Sequence, residues 1–375
     1  MRLKILASVV FVLILGYVFF WHYMAGEVEE KFVTWVKQQK GKGVIVNYKG
    51  LEITGFPYRI EVTFNDLSIV RPGRETGHET GRETGHETGH ETAHISLFSP
   101  HIMLVAFPWN ITHGLIFSDE ATVYVGRKRH PALTLNIGKI RASANIDIIG
   151  QRLQRASLVM AAVSWETGEA GQSEQISSEQ ISVAREVRLH IMQPEAVISP
   201  AQSNDMELPI LMKIYLEAKD VVAQELSIGI FGKKADQVKI DLQLHGEQMP
   251  RFSRESLRAW RDGGGTVDVK NFSILSRNMD MILDGEATLD QDLKPLGAFA
   301  AKIHGITHIV GVLSAYSAFQ QAPGAIVLQE LQRMSKQADM GSDQKKDVLD
   351  LAISLQGGLL FLGPIPVYEL EPVVK

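Results

Sequence analysis

From Ile5 to Met24 the chain is apolar at almost every position, and His22 alone can ionise. A helix rises 1.5 Å per residue, so such a stretch reaches about 30 Å, the hydrocarbon thickness of a bilayer. Arg2 and Lys4 precede it, and Glu27, Glu29 and Glu30 follow it. That asymmetry predicts a cytoplasmic N-terminus with the remainder outside. Trp21 and Tyr23 stand at its far end, where amphipathic rings favour the membrane interface. A cleaved leader is the competing reading, but it needs small residues at the cleavage site. Here bulky Tyr23 lies two before Ala25, so an uncleaved signal anchor is expected.

Beyond the anchor the period changes twice. Val28, Phe32, Trp35 and Val36 share one helical face over Glu27 to Lys40, and Gly41-Lys42-Gly43 ends that helix. The period then becomes two. Tyr58, Ile60, Val62 and Phe64 alternate with polar residues, as do Met212 to Ala218, Ile240 to Leu244 and Leu349 to Leu355. This is the signature of half-buried antiparallel strands. Further strands are expected near 95–107, 121–125, 132–148, 156–165, 183–192, 266–275, 279–289 and 358–362. Helices enter as inserts: Ser253 to Arg261, with Ser253 as N-cap, and a pair over Ile306 to Gln321 and Ala325 to Ala338, parted by Pro323-Gly324. The polar stretches 168–178 and 340–346 read as loops.

These elements predict a mainly β (α+β) fold: an N-terminal transmembrane anchor helix, then an elongated, antiparallel sheet-rich exported domain with a few helical inserts. The expected boundaries are a cytoplasmic tip (1–4), a transmembrane signal anchor (5–24), a juxtamembrane helix (25–43) and a periplasmic β-rich domain (44–375). No linker in the sequence divides that last domain.

Composition narrows the function. Of 375 residues, 45% are hydrophobic and 22% charged, as in folded globular proteins. A net charge of -5 gives no electrostatic grip on nucleic acid. The absence of cysteine removes disulfides, thiolate nucleophiles and thiolate-held metals.

Residues 86–94 read HETGHETAH and spell the zinc-protease pattern H-E-x-x-H twice. In frame from Arg74 the stretch is RETG, HETG, RETG, HETG, HETA, so the motif follows from a repeat of tetrads. A catalytic pair of histidines needs a stable helix with an apolar side, and no large apolar residue occurs from Gly73 to His94. The expectation is a low-complexity loop over 74–94 between strands, with His86, His90 and His94 as adventitious metal ligands at most. No catalytic residue and no cofactor is called for. A G-x-S-x-G elbow and a G-x-x-x-x-G-K-[ST] loop are both lacking. Gly263-Gly264-Gly265 reads as a helix stop. His190, His245 and His304 lack metal-ligand spacing, and Asp280 and Asp284 read as solvated turn residues.

Four segments carry a family likeness: GLEITGFPYRI (50–60), WRDGGGTV (260–267), DGEATLD (284–290) and GGLLFLGPIP (357–366). Together they resemble domain of unknown function 2125, a family of uncharacterised exported proteins typical of alphaproteobacteria, over roughly 20–370. A more distant similarity, the anchor followed by a strand, a Gly-x-Pro turn and another strand, is to AsmA-like envelope proteins, which are associated with lipid traffic. The resemblance implies an inner-membrane or exported envelope protein of no established activity, and it supplies no catalytic residues to carry over. Within it, Gly55-Phe56-Pro57 reads as the corner between two strands.

The sequence therefore favours a single-pass bacterial inner-membrane protein, held by residues 5–24, with a periplasmic domain and a non-enzymatic binding or assembly role. Lipid is the favoured ligand class, held in an apolar sheet groove. The alternative is an interaction scaffold for envelope proteins with its sheet faces fully covered, and an envelope hydrolase comes third.

Overall fold

The computed structural model describes residues 2–72, 94–127, 130–147, 152–167, 181–194, 208–223, 234–277, 279–305, 324–339 and 348–374, together with Val310, Gly311, Ser314 and Gln320. The described chain is sheet-rich and antiparallel, with one long apolar helix at its start. The contacts divide it into two compact units, one holding Met1–Arg152 and Leu158–Ile181, the other Leu153–Ser157 and Ser182–Lys375.

The first unit begins with helix α1 (Arg2–Gly41), a single unbroken helix that runs through both the apolar stretch and the expected juxtamembrane helix. Its strands are β1 (Ile45–Asn47), β2 (Gly50–Thr54), β3 (Ile60–Arg71), β4 (His94–Phe107), β5 (Asn110–Ser118), β6 (Ala121–Arg127), β7 (His130–Asp147) and most of β8 (Arg152–Thr167). Short strands lie end to end along long ones. β1 and β2 share one edge of β3, while β5 and β6 both pair with β4 and with β7. Where β5 gives way to β6, the buried hydroxyls of Ser99 and Ser118 stand 2.9 Å apart, and each donates to the Glu120 carbonyl oxygen. The polar gap in the sheet is thus satisfied from within.

The core of this unit lies between α1 and β3. Trp21, Ala25, Ile60, Val62, Phe64 and Leu67 are buried, and Val28 and Phe32 join them. Spacings of four, three and four along α1 put its contacts on one stripe. Ile60, Val62 and Phe64 follow the expected alternation, yet Leu67 and Ile69, of opposite parity, belong to the same core. Asp66 makes the switch with φ of 48°, a left-handed conformation that Asp tolerates better than most residues. Lys49 Nζ holds its carboxylate at 2.8 Å.

The second unit is a meander. β9 (Ser182–Met192), β10 (Ile210–Val222), β11 (Lys234–His245), β12 (Thr266–Leu275), β13 (Asp280–Leu289), β14 (Pro295–His304), β15 (Val348–Gln356), β16 (Leu359–Leu362) and β17 (Ile365–Glu369) each pair antiparallel with the next. Helix α2 (Arg254–Asp262) joins β11 to β12, and α3 (Gly324–Asp339) lies between β14 and β15. As expected, Ser253 caps α2, accepting a hydrogen bond from the Ser256 amide, and Gly263 ends it. Most of the expected helix over 306–321 lies outside the described residues.

Candidate functional site

The meander's register lines up its apolar positions. Leu189, Leu216, Ile240 and Phe272 are successive cross-strand partners, as are Ile191, Ile214, Leu242 and Val269. Partners directly opposite point to the same side of a sheet. The rows continue through Leu283, Ala301 and Leu351, and through Gly285, Phe299 and Ile353 to Leu362. One face of the second unit is therefore apolar from β9 to β16.

That face is covered at two places. Leu328 and Leu331 of α3 pack with Met281, Ala301, Ile303, Leu349 and Ile365, all buried. Leu257 and Trp260 of α2 pack with Leu289 and Leu293, and reach Leu244 and Val267. Trp260 is fixed by its indole N–H, which donates to the His245 carbonyl oxygen at 2.8 Å, and a side chain at Gly265 would overlap its ring. Leu189, Ile191, Ile214, Leu216, Ile240 and Leu242 belong to neither cluster and stay half-buried. Near the middle of the face, Phe299 lies over Gly285, where an added Cβ would fall 2.7 Å from the ring.

The opposite face is charged. Glu217 is buried to 7% exposure, with Gln237 Nε2 donating to it and Arg188 and Lys219 within 3.6 and 3.9 Å. Glu186 accepts from Arg188 at 2.8 Å and also neighbours Lys219. Burial pushes the Tyr215 hydroxyl above its ordinary range; the charges of Glu217 and Asp241 add to this and Arg188 opposes it. Glu217 thus has a cation from β9 and another two residues along β10 beside it, an arrangement that holds charge in place rather than presenting it to a ligand.

The residues singled out in the sequence do not come together. His86 and His90 lie outside the described residues, and His94 opens β4, its backbone paired with Gly126. His190 Nδ1 bonds the Ser157 hydroxyl at 2.8 Å. His245 Nδ1 faces the Leu208 carbonyl oxygen at 3.2 Å, and its Nε2 is buried without a protein partner. His304 pairs with Asp280 across β13 and β14. Asp280 and Asp284 share a strand face but stand about 13 Å apart at 3.3 Å per residue. Among the described residues no three His, Asp or Glu side chains form a metal-binding group. The tetrads themselves sit between paired strand ends, since β3 and β4 remain in register out to Arg71 opposite Ile95.

A second feature, missed in the sequence, is how α1 is held. The Tyr17 hydroxyl donates to the Pro57 carbonyl oxygen, and the Trp21 indole N–H donates to that of Arg59 at 2.9 Å. Phe56 packs edge-on against Trp21 and stacks on His22. The Gly55-Phe56-Pro57 corner forms as expected between β2 and β3, with Gly55 at φ of 100° and the Phe56–Pro57 bond cis. Within a uniformly apolar stretch there is no period to show which face is used, so the burial of Trp21 against this corner could not be read from it.

An apolar helix long enough to span a membrane, followed by an antiparallel sheet protein with one apolar face, defines the class of molecule. The chain belongs to the family described as uncharacterized protein conserved in bacteria, DUF2125, whose profile matches residues 21–371. No curated protein and no solved structure matches it.

Proposed function

We propose that this is a single-pass inner-membrane protein of the bacterial envelope, N-terminus inside, whose periplasmic sheet binds the acyl chain of a lipid without catalysing a reaction. The continuous apolar face of the meander, half-buried on β9 to β11 outside the clusters formed with its two helices, is the observation that carries this reading. An acyl chain laid across it gains about 0.8 kcal/mol for each methylene removed from water. The positive residues before the apolar helix and the glutamates after it support the orientation. Partner proteins in the envelope would meet the charged face or the strand edges.

The test is lipid extraction and mass spectrometry on the full chain purified in mild detergent, beside a Leu216→Asp, Leu242→Asp variant. We expect a bound lipid that the variant loses at least tenfold while melting within a few degrees of the parent. Equal lipid in both, or a face that cannot accept aspartate without unfolding, would favour the fully covered scaffold.

A further inference from the structure

The hydrogen bonds between α1 and the β2–β3 corner fix which end of the first sheet meets the membrane. Tyr17 lies seven residues inside the apolar stretch that ends at Met24, or about 10 Å along the helix, and it bonds Pro57. Trp21 bonds Arg59 one turn later, and Phe32 meets Phe64 with ring centroids 4.5 Å apart. β3 therefore runs beside α1 in the same direction, and the corner preceding it is level with the apolar stretch rather than beyond it.

The register carries other tips to that same end. Ile60 pairs with Ala106, so the turn from β4 to β5, with Trp109 at its tip, stands beside the corner. Asn145 pairs with His113 near the start of β5, which brings the end of β7 and Ile146 into line. Large apolar side chains are exposed at this end beside Arg59 and Asn110: Phe56 is 48% exposed, Tyr58 73%, Trp109 65% and Ile146 48%. The register gathers these rings at one end of the sheet, and the membrane interface is where such amphipathic rings are most at home.

We propose that the first sheet enters the outer leaflet of the bilayer edge-on, its Phe56, Tyr58, Trp109 and Ile146 tips seated among the headgroups and the upper acyl chains around α1. This rests on the reading that α1 spans the membrane. The occupant is lipid because the corner is bonded to helix residues that the span itself immerses. The sheet edge and the helix are then one membrane contact, and the second membrane signal fixes the tilt of the unit.

The absence of cysteine makes single-cysteine variants of the full chain straightforward. Tyr58→Cys, Trp109→Cys, Phe11→Cys within the span and Lys37→Cys beyond it would each carry an environment-sensitive fluorophore. The protein is reconstituted in vesicles of phosphatidylethanolamine and phosphatidylglycerol containing spin-labelled lipids. Tyr58 and Trp109 are largely exposed, so replacing them removes no core. We expect shallow spin labels to quench positions 58 and 109 about twofold or more above position 37, as befits interfacial residues, and deep labels to quench position 11. If position 11 is quenched and 58 and 109 behave like 37, the sheet edge stands clear of the bilayer and the proposal fails while the anchor stands. If position 11 is also unquenched, the anchor fails and the proposal with it.

Discussion

The two units face the same problem, a sheet with one apolar side, and meet it differently. In the first, the cover is α1 itself: Trp21, Ala25, Val28 and Phe32 close over β3, and Phe64 is left 1% exposed. In the second, α2 and α3 cover separate portions of the face, and the six residues of β9 to β11 named above remain half-buried. An apolar strand face is thus no guide to function until its cover is known. The first face packs on α1. The second keeps a half-buried apolar strip on β9 to β11.

Substitutions can break that comparison. The largest effect is expected for Phe64→Ala, which empties a fully buried site and should cost about 3–5 kcal/mol in denaturant unfolding of the full chain in detergent. Next is Gly265→Ala, whose methyl group collides with Trp260 and should cost about 1–3 kcal/mol through overpacking of the α2 cover. Leu242→Ala, in the half-buried strip, should cost only about 1 kcal/mol, a part of the value for a fully buried leucine. A cost for Leu242→Ala equal to that for Phe64→Ala would erase the distinction between the two faces.

Much of this was legible in the residues. Alternation located β3, β10, β11 and β15, and Ser253 marked the start of α2. β14 was passed over because PLGAFAAKIH presents glycine and alanine where the pattern asks for bulk; its pairing partner needs that space, since a side chain at Gly297 would meet the Glu286 carbonyl oxygen at 2.6 Å. The parity switch at Asp66 is invisible to a count of alternating positions. The apolar strip depends on register, which joins residues some 25 to 80 positions apart, so no single strand could announce it. The division into two units was hidden for the opposite reason: its boundary falls inside β8 rather than in a linker.

Smaller effects sharpen the account of the first unit. Removing residues 74–93 should leave the melting temperature unchanged, because β3 and β4 are already paired on both sides of the tetrads; a fall of several degrees would show that the tetrads contribute to the fold. The pair of Lys49 and Asp66 should have the least effect. The hydrogen bond and charge of Asp66 hold the Lys49 amine above its ordinary value of 10.5. A raised folded-state pKa means that its stabilisation is full below pH 10.5 and is lost as pH rises through the folded value. The stability difference between the parent and Lys49→Met should therefore be constant from neutral pH to about 10 and shrink above it, as thermal melts across that range would show.

The central claim is that the meander's apolar face takes a lipid chain. Its most direct test is photo-crosslinking of a phospholipid bearing a diazirine near the end of its acyl chain to the full protein in native membranes, followed by peptide mapping. The account predicts adducts on β9 to β11, around Leu189, Leu216 and Leu242, besides those on the anchor. Adducts confined to residues 5–24 and the sheet edge beside them would contradict it.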